Sequence, residues 1–300
     1  MDRVTYHRLP TEQDNPRSRN LDRLSPLALV TLLNREDQRV LEAVRGAGRQ
    51  IARAVELIVG GLRARGRLFF VGAGSSGRLG VLEAAECPPT FGTSPSLIQA
   101  IVAGGRSAVF RSKEGAEDRE SEARRAVRRN VRSGDVVVGI TASGVTPFVR
   151  AALTEARRRK ARTILLAVNP RSRLGAGVDL LIAADVGPEV LSGSTRLKAG
   201  SATKMILNML TTASMAQLGK LYQNRMVDLR PSSRKLRARA VRLVRELGGA
   251  SESRARRLLT VAQGRAKLAI LMAREDLGAR EARRRLAAAD GSLRRALEGR

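Results

Sequence analysis

Apolar residues recur at helical spacing from Leu27 to about Arg63 (Val30, Leu33, Val40, Leu41, Val44, then Ile51, Val55, Ile58). This predicts two helices, parted near Gly46 and Gly48. The pattern then changes period. Residues 67–71 (RLFFV) form a short apolar run that ends in the glycine-rich turn GAGSSG and passes into a helical pattern, the opening of a βα unit. Residues 97–102, 135–140, 163–168 and 178–184 are four further strand candidates. An amphipathic helix is expected over 114–131, and another over 148–160 with Pro147 in its first turn. Strands alternating with helices predict an α/β fold, a parallel sheet flanked by helices on both faces.

The flanks differ from this middle. Residues 1–26 are polar, with Pro10, Pro16 and Pro26, and read as an arm or extended lead-in. Residues 194–221 form a long helix candidate rich in Ala, Met and Leu, apolar enough to be buried within the subunit or against another. Beyond Pro231 the chain becomes Arg/Ala/Leu-rich and strandless, which predicts three or four short helices in a small all-helical C-terminal subdomain. The expected division is 1–50 for the arm and first helix, 51–231 for the sheet domain and 232–300 for the helical subdomain. No fixed-period repeat is present.

Composition narrows the chemistry. The chain has 300 residues, 43% of them hydrophobic and only 2% aromatic, so its core must be mostly Ala, Leu, Val and Ile. Cys87 is the sole cysteine and His7, in the polar arm, the sole histidine. No intrachain disulfide or ordinary Cys/His zinc site can form, and acid–base work must fall to carboxylates, or to Lys or Tyr. The start of the chain lacks an apolar signal-peptide core, and no stretch is long and apolar enough for a membrane span, so a cytoplasmic protein is expected. The net charge of +28 invites a nucleic-acid reading. However, the arginine runs at 124–129, 157–159, 254–257 and 283–285 sit at the wet positions of helical patterns, without nucleic-acid motifs or stacking aromatics. Solvated helix faces are the better reading of these arginines, with a diffuse affinity for polyanions or help in attracting a small anionic ligand as the alternatives.

Two loops are placed to bind a ligand, since each follows the carboxyl end of a strand. In the first, Gly74, Ser75 and Ser76 combine backbone N–H groups, hydroxyls and the following helix N-terminus. The second, with Ser143, Gly144 and Thr146, is built alike. The G-x-G-x-x-G string lacks the carboxylate that dinucleotide binding wants at the end of the second strand, and no G-K-[ST] follows to make a P-loop. A phosphomonoester held by both loops fits, although two ordinary βα turns would give the same pattern. Candidate carboxylates are Glu83 and Glu86 on the helix after the first loop, and Glu114, Glu117 and Asp118 after Gly104-Gly105. Pro88-Pro89 is expected to end the first helix near Glu86, at an irregular junction from which its side chain could turn to a pocket.

The blocks GAGSSGRLGVLEAAECPPTFG, EGAED, VVVGITASGVTP, GPEVLSGSTRLKAGSATKMILNML and NRMVDLRPSSRKLRARA resemble the N-acetylmuramic acid 6-phosphate etherases. These enzymes have the sugar-isomerase (SIS) fold, also found in the non-enzymatic glucokinase regulatory protein. The resemblance starts near TEQDNPRSRNLDRLSPL and weakens only after about residue 245. It implies cleavage of the lactyl ether of N-acetylmuramic acid 6-phosphate by elimination and hydration, without cofactor or metal, in cell-wall sugar recycling. It also implies Glu86 as proton donor and Glu117 as the second active-site carboxylate. Gly74, Ser75, Ser76, Ser143, Gly144 and Thr146 would bind substrate, with Ser194 and Lys198 of GSTRLKAG contributing, in a homodimer whose partner completes the site. One departure stands out: Val145 occupies a position where the family usually has Arg. A non-catalytic sensor of a sugar phosphate is the other function this fold would allow.

Overall fold

In the computed structural model, which describes residues 7, 9–170, 172–229, 231 and 233–299, the chain forms two compact units. One takes residues 1–85 and 96–211, the other 86–95 and 212–300. Residues 1–6 and 8 of the predicted arm lie outside the described residues.

The first unit is built on a five-stranded parallel sheet: β1 (Leu68–Gly72), β2 (Ile98–Val102), β3 (Val136–Thr141), β4 (Arg162–Ala167) and β5 (Leu180–Ala183), in the order β2-β1-β3-β4-β5. All five predicted strands form, with ends shifted by at most two residues. β1 and β3 are buried at every position, which is why they read as unbroken apolar runs rather than alternating ones. The strand order runs outward in opposite directions from the β1/β3 pair. That point is where an open α/β sheet leaves a crevice at the strands' carboxyl ends. Gly72 pairs with Val102 on one side and Ile140 on the other, so β1 and β3 finish almost level.

Helices cover both faces: α1 (Pro26–Gly46), α2 (Gly48–Arg63), α3 (Gly74–Phe91), α4 (Ser107–Phe110), α5 (Glu120–Asn130), α6 (Pro147–Arg158) and α7 (Lys198–Gln217). The Ser25 hydroxyl caps α1 by accepting the Ala28 N–H, and Pro26 takes its first position. α6 lies close on β3 because Gly139 has no side chain; a Cβ there would come within 2.7 Å of Leu153 and Val149. Ala123 and Val127 of α5 join Phe69, Val71, Phe148, Val149 and Leu165 in the core, while Arg125, Arg128 and Arg129 are exposed.

Three boundaries differ from expectation. α3 does not stop at Pro88-Pro89 but runs to Phe91, where Gly92 turns left-handed at φ +64° and donates its N–H to the Pro88 carbonyl. A proline's fixed φ is helical, so a pair in the last turn costs donors without ending the helix. Glu86 therefore sits on regular helix, not at a junction. The helix expected from residue 114 begins at Glu120, after Gly115 (φ +68°) and a 3-10 turn, Ala116–Asp118. α7 starts at Lys198, four residues after the expected start.

The second unit holds a short hairpin, β6 (Leu221–Tyr222) with β7 (Arg225–Met226). It also has α8 (Arg234–Gly248), α9 (Glu252–Val261), α10 (Ala266–Glu275), α11 (Ala279–Ala288) and α12 (Leu293–Glu298), so five helices among the described residues rather than three or four. α10 is buried from Ala266 to Ala273 and forms the centre of its core. The buried Lys267 ammonium donates to Asp228 and to the Gly219 and Gly291 carbonyls. Burial pushes its pKa below the usual lysine value, against the pull of Asp228. Among the described residues no helix is long and apolar enough to cross a membrane.

Candidate functional site

A cavity of about 270 Å³ lies in the first unit, lined by residues from both loops that follow β1 and β3. Its first wall is the turn from β1 into α3. That turn is tight: a Cβ on Gly72 would lie 2.8 Å from the Gly77 nitrogen, and one on Gly77 would lie 2.6 Å from the Gly72 carbonyl oxygen. Only glycine allows the approach, and it puts Gly74, Ser75 and Ser76 at the start of α3 facing the cavity. The first N–H groups of a helix have no partner within it, so this wall offers donors and a favourable field to an anion.

The second wall is held by hydroxyls. Thr141 Oγ1 accepts the Gly144 N–H (3.1 Å) and hydrogen-bonds Thr146 Oγ1 (2.8 Å), while Ser143 Oγ accepts the Val145 N–H (3.3 Å). Behind the loop, Asn169 Nδ2 donates to the Ser143 carbonyl (2.7 Å) and Ser172 Oγ to the Gly144 carbonyl (2.7 Å). Ala142, Ser143 and Thr146 line the cavity. Gly144 instead packs on Ser172, where φ +76° and the absence of a Cβ are both required. The loop's shape is thus set before any ligand arrives.

Charge enters from two sides. Arg78 lines the cavity one turn into α3, its Nε donating to the Ala108 and Val109 carbonyls (3.2 and 3.0 Å). Lys113 lines it too, with Nζ on the Gly104 carbonyl (3.0 Å). Glu114 and Glu117 supply carboxylates. Glu117 is on the 3-10 turn that buried Ala116 pins to the core, which leaves its exposed side chain at the cavity wall.

The remaining wall comes from distant segments, Thr11 and Glu12 of the arm with Gly193 and Thr195. The Gly193 N–H donates to the Thr11 carbonyl (2.9 Å), and Ser192 Oγ to that of Glu12 (3.2 Å). Beneath them is Glu36, a fully buried carboxylate on α1. It receives Lys198 Nζ (2.7 Å), Asn15 Nδ2 (2.8 Å) and Arg17 Nη1 (2.9 Å). Burial alone would raise its pKa, but the hydrogen bonds from Lys198, Arg17 and Asn15 outweigh it and hold the group at about 2. Glu189 accepts the Lys198 and Ala199 N–H groups at the start of α7; its burial raises its pKa despite them.

Of the predicted site residues, Gly74, Ser75, Ser76, Ser143, Thr146 and Glu117 meet at this cavity. Ser194 stands between two lining residues without being one. Lys198 is 1% exposed, its ammonium engaged by Glu36, so it is neither a surface lysine nor a lining one. Glu86 is exposed on α3 and is not among the lining residues. Its neighbour Glu83 is buried, accepting from Asn208 Nδ2 (2.6 Å) and Thr211 Oγ1, and braces α3 against α7. Arg78, Lys113, Thr11 and Glu12 were not anticipated. Arg78 lay in view within the glycine-loop block, and Thr11 and Glu12 at the head of the TEQDNPRSRNLDRLSPL block where the resemblance starts.

A more apolar groove of about 560 Å³ adjoins the cavity and shares Ser75 and Arg78 with it; Leu79, Leu82 and Met205 line it. Leu82 and Met209 are large apolar side chains left 49% and 40% exposed on α3 and α7.

The family model for the glucokinase regulatory protein N-terminal SIS domain matches residues 50–157, and that for the SIS domain matches residues 117–213. The chain is 49% identical to an N-acetylmuramic acid 6-phosphate etherase of a Picosynechococcus species over 97% of both chains. It is 49% identical to that of Salinibacter ruber, over 97% of this chain and 94% of the relative. With that of Symbiobacterium thermophilum the identity is 51% over 89% of each.

Proposed function

This chain belongs to the N-acetylmuramic acid 6-phosphate etherase family, and from that premise we propose that the β1/β3 cavity is where its substrate is held and cleaved. The enzyme is a carbon–oxygen lyase of cell-wall sugar recycling. It converts N-acetylmuramic acid 6-phosphate and water to N-acetylglucosamine 6-phosphate and D-lactate. Near full-length identity to etherases carries this reading over a non-catalytic sensor, since the regulatory-protein model matches only residues 50–157.

The chemistry sets what the site must supply. In the open-chain sugar the C2 proton is acidified by the neighbouring aldehyde. A carboxylate base takes that proton, the C3–O bond breaks and lactate leaves with a proton from an acid. Water then adds across the double bond, its oxygen to C3 and a proton to C2. One carboxyl must be ionised and the other protonated, a division that unlike environments can create. On this reading Ser75, Ser76, Ser143 and Thr146 bind the phosphate, with Arg78 as a cation lining the same cavity. Glu117 supplies one carboxyl.

The second carboxyl we assign to Glu86 of another copy. Leu79, Leu82 and Glu86 share one face of α3 by their spacing of three and four, and Leu79 and Leu82 line the exposed apolar groove beside the cavity. A second chain covering that groove would bring its own α3 to the site, in a homodimer with shared active sites. A phosphorylated sugar does not cross a bilayer unaided, so the enzyme works where its substrate is made, which we take to be the cytoplasm.

Purified protein incubated with N-acetylmuramic acid 6-phosphate is expected to release D-lactate, measured with a D-lactate-specific dehydrogenase. Absence of release at substrate concentrations that calorimetry shows to saturate the site would overturn the enzymatic reading.

A further inference from the structure

We propose that Glu12 is a specificity-determining residue: its carboxylate accepts a hydrogen bond from a neutral N–H or O–H donor of the sugar. This rests on the reading of the cavity as a sugar-phosphate site. The arm carrying Glu12 is fixed rather than loose. Thr11 is buried, its carbonyl accepts the Gly193 N–H, and four and six residues on, Asn15 and Arg17 bind Glu36. Asn15 also donates to the Pro188 carbonyl (3.3 Å). Arm, α1 and the segment before α7 are thereby tied together around one buried charge, and Glu12 projects from the tied part.

Its geometry suits an acceptor. Thr11 Oγ1 donates to Oε1 (3.1 Å), which steadies the carboxylate. Oε2 lies 3.3 Å from where a Cβ on Gly193 would stand, and that residue's φ of +77° also favours glycine. The carboxylate is exposed and lines the cavity. A carboxylate repels phosphate, so Glu12 cannot serve the anionic end of the ligand, which the serine loops and Arg78 suit. What remains for it is the neutral part of the sugar, rich in donors. An acceptor-only side chain there rewards a ligand that presents an N–H or O–H and penalises one that does not.

The test compares three probes by calorimetry with wild-type protein, Glu12→Ala and Glu12→Gln: N-acetylglucosamine 6-phosphate, glucose 6-phosphate and inorganic phosphate. Loss of a charge-assisted hydrogen bond should weaken one or both sugar phosphates roughly tenfold or more. Inorganic phosphate should bind as well or slightly better once the negative charge is gone. The sugar that weakens more identifies the donor, the acetamide N–H or a hydroxyl. Equal weakening of all three probes would mean that the arm merely supports the cavity, and unchanged binding of both sugars would mean that Glu12 touches neither; either result overturns the proposal. Thermal melting of the variants is expected to match wild type. Binding is read without turnover, so the result is independent of whether D-lactate is released.

Discussion

The cavity is made in two ways, and the two halves differ in what holds them. The β1/β3 half is carried by strand ends, and its shape comes from the backbone: glycines that let chain meet chain, and hydroxyls that accept N–H groups from two or three residues away. The arm half is built differently. It is assembled by side chains from residues 15, 17, 36 and 198, converging on one carboxylate that is shut off from water. The first half should tolerate loss of any one hydroxyl, because the backbone remains; the second should fail as a unit.

The largest effect falls on the chemistry that the two halves serve. Glu117→Gln and Glu86→Gln should each lower kcat by roughly 10² to 10⁴, the usual worth of a positioned acid or base, while sugar-phosphate binding persists. Because the two carboxyls are assigned to different copies, mixing the two inactive variants should restore activity. A dimer with one of each has one intact site, so random pairing should return roughly a quarter of wild-type turnover. No restoration in a mixture shown by mass spectrometry to have exchanged subunits would place both groups on one chain. Near-normal lactate release by either variant would remove that residue from the mechanism.

Next come the charges that hold the arm. Glu36→Gln leaves the Lys198 ammonium buried without its counter-charge and should cost about 3–5 kcal/mol. Lys198→Met should cost less, about 2 kcal/mol, because Glu36 keeps Asn15 and the more exposed Arg17. Urea unfolding measures both. If Lys198→Met is the worse of the two, the pair is not organised around the carboxylate. The same group sets an acid limb. Its pKa falls from 4.5 to about 2 on folding, so its stabilising contribution is complete above pH 4.5 and is lost as the pH falls towards 2. The integrated loss is roughly 3 kcal/mol, and Glu36→Gln should flatten the stability curve across that window. A wild-type curve already flat between pH 4.5 and 2 would show Glu36 to titrate normally.

The difference between the halves also explains what could be read from the chain. Strands β1 and β3, their glycine turns and the serine loops are local patterns, and each formed where its periodicity and turn residues placed it. Glu36 sits among polar residues of an amphipathic helix and has nothing local to mark it as buried; Lys198, its partner, is 162 residues away. Glu12 lies in a stretch whose prolines and polar residues describe a lead-in equally well. The proline rule misplaced the end of α3 because it weighs the donors lost, not the φ gained. Glu86 was therefore expected at a bend and lies on a regular, exposed helical face. A single sequence records contacts within a few residues. This site depends on contacts across the whole first unit and, on our reading, on a second chain.

The smallest effect tests the sheet-borne half most directly. Ser143 Oγ lines the cavity, accepts the Val145 N–H and lies 3.5 Å from Thr141 Oγ1. Ser143→Ala removes one donor to the ligand and one weak support of the loop. The Gly144 N–H still has Thr141, the Ser143 carbonyl still has Asn169, and the Gly144 carbonyl still has Ser172. The loop should therefore keep its shape, and the loss should be that of a single hydrogen bond, roughly three- to tenfold in sugar-phosphate affinity, with kcat little changed. Inorganic phosphate should weaken by the same factor, which separates this variant from those at Glu12, where only the sugar suffers. Unaltered affinity in calorimetry would take Ser143 off the phosphate. A fall in kcat as large as that from Glu117→Gln would mean that the loop is not rigid by itself, and the contrast between a backbone-built wall and a side-chain-built one would not hold.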